Sequence, residues 1–464
     1  MSRLHIMADF EFGTLASAGN LRKMLQNNFN QREDRMSRYL KSRTLAWAAG
    51  VSLALGAGAM FVTLPANAQG KPPIKIGFGQ SLTGPLSPNG KQALLAAEIW
   101  KEQVNKSGGL LGRQVELKYY DDKSSPSEVP GIYTKLLDVD KVDLVVGGYA
   151  TNQNAPAMPV IIRKGKTYIS LFALDVNSKF HYPKYFSILP TGPNTKTSFT
   201  EGFFKIAAAQ NPKPKTVALA AADAEFAQNA CDGARENAKK YGFKIVYDKS
   251  YPPPPKTTDF TPIARAIKAT NPDVVVVCAY PADSVGMVEA AGEVGLKPKM
   301  FGGAMVGLQT TVFKNKLKGK LNGIVNYETW VPDKKEMYEG TDAFFKEYQA
   351  RAKTAGVDPL GYYLGGWGYA QFQVLADAIK GTKSLDDNKI AAYLKSHTFK
   401  TVMGPIKFGK KGEWAESRML TVQYHGITDA ANLETWRGMS YQTVLDPPSL
   451  ATGKVVYPYE KARK

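Results

Sequence analysis

The chain has 464 residues, more than a single hydrophobic core holds, so two domains are expected. Its 60 lysines and arginines against 41 acidic residues give a formal charge of +19, but no arginine-rich arm or row of stacking aromatics accompanies the excess. The lysines are scattered over helix faces and loops, which argues against a nucleic-acid binder and for solvated faces whose positive field draws in anionic solutes.

The first 35 residues are polar and unpatterned. From Met36 the sequence reads as a secretory signal: Arg38, Lys41 and Arg43, then the uncharged run Leu45–Leu64, then Ala66-Asn67-Ala68 as a cleavage motif. Residues 1–35 are expected to be a non-native or unstructured extension and 36–68 the signal, cleaved after Ala68, with the rest delivered to the periplasm. A membrane anchor is the alternative, but Gly50, Gly56 and Gly58 interrupt the run. The remaining chain would carry a charge of +15.

Ile74–Gly79 predicts a short apolar strand that opens into a Ser/Thr/Gly/Pro loop. A helix follows, with Ala93, Ala97, Trp100 and Val104 on one face. Gly108–Gly112 turns the chain into a strand at Gln114–Tyr120. A helix near Glu128–Asp138 then leads to a buried strand, Val142–Val146. This alternation predicts a parallel, right-handed α/β layer, with ligands beyond the carboxyl ends of its strands, at Gln80–Asn89 and Tyr149–Asn154. The pattern continues through a helix near Gln153–Lys164 and strands at Thr167–Ser170 and Tyr185–Leu189. A second unit follows from Pro190, with strands Thr216–Ala221, Lys244–Tyr251 and Val274–Cys278. Val274–Val277, four valines in a row, suits a strand covered on both faces. Pro252–Pro255 reads as a stiff polyproline spacer. Later helices are expected at Glu336–Ala355, Gly365–Lys380 and Asp387–Ser396, and a late strand at Arg418–Tyr424.

The run GGLLGRQVELKYYDDKSSP, followed by DKVDLVVGGYATNQNAPAMPV, resembles the first lobe of the leucine/isoleucine/valine-type periplasmic solute-binding proteins of ABC importers, and the resemblance extends along nearly the whole mature chain. It implies a type I periplasmic-binding fold: two Rossmann-like α/β lobes with parallel sheets, joined by three hinge crossovers near 190, 325 and 405. Lobe 1 would comprise 73–189 and 325–404, and lobe 2 190–324 and 405–464. The implied partners are a small-molecule ligand and an ABC permease in the inner membrane; a monomer is expected. Cys231 and Cys278 fall in the second lobe, whereas the family's better-known disulfide lies in the first. Buried free thiols are the expectation, with a disulfide between them left open.

Motifs for other chemistry fail on inspection. Gly77-Phe78-Gly79-Gln80-Ser81-Leu82 lacks the third glycine of a dinucleotide fingerprint. Gly84 to Gln92 misses the phosphate-loop spacing. No G-x-S-x-G or H-E-x-x-H occurs, and His181, His397 and His425 are isolated, so no catalytic residue, metal or cofactor is expected.

The remaining candidates form a solute-grasping cleft. Ser87-Pro88 reads as a helix cap, and Ser81, Thr83 and Asn89 supply hydroxyl and amide groups. By the resemblance, Asn89 matches a ligand-contacting position. The loops Gly148–Thr151, including Tyr149 and Ala150, and Ser170–Asp175 match those that hold a ligand carboxylate, with Thr151, Ser170 and Ala173 as its donors. Leu174 stands where a carboxylate-binding threonine is expected. Phe226 and Tyr280 match the relatives' second-lobe tyrosines, and Ala304 or Met305 stands where a glutamate would meet an α-ammonium. A buried ammonium without an acid costs several kcal/mol. The favoured solute is therefore an aromatic carboxylate, walled by Tyr149, Phe172, Phe226, Tyr280, Met305 and Trp330. Two alternatives are a branched-chain or other amino acid, with Glu225 or Asp175 restoring the acid if the match is shifted, and a receptor that presents its closed form to a signalling partner.

Overall fold

The computed structural model describes residues 71–463; the expected extension and signal segment lie outside them. The first sheet is built from β1 (Ile74–Gln80), β2 (Val115–Asp121), β3 (Leu144–Tyr149), β4 (Tyr168–Leu171) and β5 (Tyr185–Ser187). Its spatial order is β2-β1-β3-β4-β5, with every pairing parallel. β3 is buried at every residue, as helices on both faces of a parallel sheet require. Helix Ser87–Lys106 packs against helix Gly365–Thr382. A Cβ on Gly368 would lie 3.1 Å from the Ala93 Cα, so the small residues set how closely the two helices approach. Gln371 of the same helix donates to the Gly147 and Ile169 carbonyls, each at 2.8 Å, and so ties it to β3 and β4.

The second sheet contains β6 (Thr216–Ala222), β7 (Lys244–Tyr251), β8 (Val274–Ala279), β9 (Met300–Met305), β10 (Val325–Glu328), β13 (Leu420–Tyr424) and β14 (Gln442–Asp446). Its order is β14-β13-β10-β9-β8-β6-β7. The strands from β7 to β10 run parallel, and β13 and β14 extend the edge antiparallel. On the first unit, β11 (Thr398–Thr401) and β12 (Gly404–Lys407) form a hairpin that packs on helix Gly365–Thr382.

Two expected crossovers move. The return to the first lobe is expected near 325, around Ile324–Tyr327, but Val325–Glu328 is an interior strand of the second sheet. Val325 and Asn326 pair with Gly302 and Gly303. A Cβ on Gly302 would stand 1.6 Å from the Val325 carbonyl oxygen, so this glycine admits β10, while Gly303 lies against Val276 and Val277 of β8. The chain therefore leaves the second unit between Glu328 and helix Thr341–Ala355, which packs on helix Ser87–Lys106. The last crossing falls between Lys407 and Leu420, later than expected, because Gly412 still bonds to β5: its carbonyl accepts from the Ser187 N–H at 2.9 Å. The expected polyproline spacer is a turn, with the Lys256 N–H donating to the Pro253 carbonyl at 3.1 Å. Cys231 and Cys278 are free and buried.

Candidate functional site

The carboxyl ends of β3, β4, β6, β8 and β9 face one another across a cleft, where an α/β sheet offers loops rather than side-chain layers. The cavity there is lined by Tyr149, Ala150, Thr151, Phe172, Leu189, Phe199, Phe226, Tyr280, Val306 and Tyr363. Its walls nearly meet, leaving about 10 Å³, the room of a single water. Phe226 stands 5.3 Å from both Phe199 and Tyr280 (ring centroids), and Phe172 stands 5.4 Å from Tyr363. The phenols supply the polarity. The Tyr149 and Tyr363 hydroxyls are 3.3 Å apart, and the hydroxyl of Tyr327, whose ring lies tilted against Phe199 at 4.4 Å, has no partner. Burial holds the phenols of Tyr149, Tyr280, Tyr327 and Tyr363 well above the ordinary tyrosine range, so they are neutral donors.

The first-lobe wall carries backbone strain. Ala150 has φ 83° and Phe172 φ 52°, conformations that non-glycine residues adopt at a cost. Thr151 opens a helical turn whose leading N–H groups lack intrahelical acceptors. Its Oγ1 accepts from the Leu174 N–H at 2.9 Å, which fixes the Phe172 loop and leaves the hydroxyl hydrogen to donate. Asn152 reaches across the cleft: its Oδ1 accepts from the Tyr280 hydroxyl at 2.8 Å and the Phe226 N–H at 3.3 Å. Beside it, Asn229 Nδ2 donates to the Leu174 carbonyl at 3.0 Å, and Lys179 pairs with Glu225 at 2.7 Å.

Of the residues expected from sequence, Tyr149, Ala150, Thr151, Phe172, Phe226 and Tyr280 come together on the cavity wall. The others lie elsewhere. Ser81 Oγ donates to Asp122 Oδ1 at 2.6 Å in a buried network that also includes Gln153. Asn89 is fully buried, and neither of its amide atoms has a partner. Ser87 is the first residue of its helix, not its cap; Leu86 stands at that position. Ser170 bonds to the Tyr185 hydroxyl at 2.8 Å beneath the wall, and Ala173 is buried. Ala304 and Met305 end β9 inside the core, and Val306 lines the cavity instead. Trp330 packs 4.9 Å from Phe345, and its indole N–H donates to the Glu336 carbonyl at 2.9 Å, far from any ligand role. Neither acid held in reserve reaches the lining: Glu225 is bound to Lys179, and Asp175 accepts from Thr195 at 2.5 Å and from Ser178 at 2.7 Å. The sequence reading missed Leu189, Phe199, Val306 and Tyr363. Tyr363 lies 214 positions from its partner Tyr149, and no local pattern joins them.

Residues 73–429 match the family model described as periplasmic binding protein. An amino acid binding protein from Pseudomonas aeruginosa is 26% identical over 357 residues, 73% of this chain and 87% of that protein. Among solved structures, a branched-chain amino acid transporter substrate-binding protein from Streptococcus pneumoniae, in complex with isoleucine, superposes with a TM-score of 0.65 at 22% identity, covering 81% of this chain and all of the other. A solute-binding protein of an ABC transporter from R. palustris, in complex with 4-hydroxybenzoate, gives 0.63 at 19% identity, with 83% of this chain and 97% of the other covered. The chain belongs to the periplasmic binding protein family, solute-binding proteins of the ABC-transporter type.

Proposed function

We propose that the protein captures a small carboxylate with an aromatic or similarly flat apolar body in the periplasm, as a monomer, and delivers it to an inner-membrane ABC permease. One observation carries this reading: the cavity lining contains phenylalanines, tyrosines, small residues and main-chain donors, but no carboxylate and no lysine or arginine. Neutral phenols and free N–H groups stabilise an anionic head, rings cover an apolar body, and a protonated amine would find no charge to offset its desolvation. The 4-hydroxybenzoate complex of a structural neighbour supports the same ligand class. Amino acids are the second reading, supported by the amino acid binding relative from Pseudomonas aeruginosa. The ligand would bridge both lobes and raise the closed population through its differential affinity.

A thermal-shift screen of benzoates, phenylpropanoid acids and amino acids tests the reading. A true ligand at a hundred times its Kd adds about 2.7 kcal/mol of stability. Shifts with leucine or valine and none with aromatic acids would overturn it.

A further inference from the structure

A second chamber of about 120 Å³ lies between the lobes, and Tyr280 is the wall it shares with the central cavity. Its other walls are mostly apolar, with Pro85 and Leu86 from one lobe facing Pro253, Pro254 and Pro281 from the other. The Asn152–Tyr280 hydrogen bond crosses the boundary between the two spaces. Of the chamber's polar side chains, Ser124 is already used: its Oγ donates to the Thr83 carbonyl at 2.6 Å and accepts from the Leu86 N–H at 3.0 Å. Asp283 is different. It is fully buried, its Oδ2 accepts from the Tyr251 hydroxyl at 3.0 Å, and its Oδ1 has no partner. Burial pushes this carboxyl up to about 7.

We propose that the chamber is a distal subsite for a hydroxyl on the far end of the bound solute, with Asp283 as the hydrogen-bond acceptor. The assignment rests on the carboxylate reading above and orients the ligand. Ionised, as it is above about pH 7, the carboxyl repels the anionic head, which therefore lies towards the phenols of Tyr149 and Tyr363. The opposite end passes Tyr280, and its O–H completes the unpartnered oxygen. An ammonium fits less well, because one free acceptor among proline rings would leave two of its three N–H donors unpaired.

The test measures the affinities of benzoate, 4-methylbenzoate, 4-hydroxybenzoate and 4-(aminomethyl)benzoate by calorimetry at about pH 8 on the wild type and on Asp283→Ala and Asp283→Leu, both of which remove the acceptor. The wild type is expected to prefer 4-hydroxybenzoate to its methyl isostere by about tenfold or more. In each variant that folds the preference should fall to within about twofold, with benzoate itself bound as before. Tyr251→Phe, which frees Oδ2 but keeps the carboxyl, should retain the preference. A wild type that binds the acids without regard to the hydroxyl, a preference that survives in Asp283→Ala or Asp283→Leu, or tightest binding of the aminomethyl compound would overturn the subsite alone. If the wild type binds none of the acids, the carboxylate reading falls and the subsite falls with it.

Discussion

Phe226 and Trp330 are both large, buried rings, yet the surroundings of each dictate different consequences when the ring is removed. Phe226 faces the cavity between Phe199 and Tyr280. Phe226→Ala should weaken capture of an aromatic acid about tenfold or more, from lost ring contact and apolar burial, while the lobes stay folded. Trp330 is packed between Phe345 and Tyr362 and is 2% exposed. Trp330→Ala should lower unfolding free energy by about 3–5 kcal/mol and leave the order of preferred solutes unchanged. Chemical denaturation beside calorimetric titration separates the two outcomes. A change in solute preference in Trp330→Ala would put that residue back into the site.

Among the elements, the crossovers hold the most strained electrostatics. The Arg418 N–H donates to the Pro190 carbonyl at 2.8 Å, and its guanidinium pairs with the buried Glu336 at 3.0 Å, so one residue of the last crossover is tied to both of the others. Glu413, in the same crossover, is buried with Oε2 unpartnered. Desolvation first, and the charge of Asp175 second, push its carboxyl up to about 8. The unfolded carboxyl titrates near its ordinary value of about 4.3. Between those two values the folded state holds a proton that the unfolded state has released. Stability is therefore retained below about pH 4 and lost as pH rises towards 8. Glu413→Gln should match the wild type near pH 5 and exceed it by about 1–3 kcal/mol near pH 8, read from melting or urea curves at each pH. Parallel pH profiles of the two proteins would show that the residue is not protonated in the fold.

At the scale of the whole molecule, three tethers and a nearly closed cleft define what capture requires. Ligand-sized pockets occupy about 300–1,000 Å³, and the central cavity holds about 10 Å³. A solute therefore gains access only when the lobes part, a hinge motion that the three crossovers permit. Contacts between the lobes include the Asn152 bridge, the Asn229 bond, the exposed Lys179–Glu225 pair, Thr195 and Lys196 on Asp175, and Thr311, which donates twice to the buried Asp358. The Lys179–Glu225 pair itself contributes at most about 1 kcal/mol, so its replacement leaves closure to the other contacts. Cysteines placed at 179 and 225 and joined by a short bis-maleimide should abolish solute capture on the stopped-flow timescale, while the unlinked double variant binds like the wild type. The native Cys231 and Cys278 are buried and should not react. Unimpaired capture in the linked protein would mean that the solute reaches its site without hinge opening.

The family resemblance carried the two-lobed architecture; the sequence by itself determined the alternation of strands and helices, the buried valine strand β8 and the strand-end loops that flank the cavity. These properties are local: period, turn residues and apolar runs act within a few residues of one another. Only the tertiary structure decided which sheet takes Val325–Glu328, because that depends on the close approach that Gly302 of β9 allows. It also decided that Tyr363 and Phe199 close the cavity while Trp330 and Ser170 lie behind it. Cavity walls are assembled from segments hundreds of residues apart. Whether a ring faces a ligand or the core depends on neighbours that no local pattern specifies.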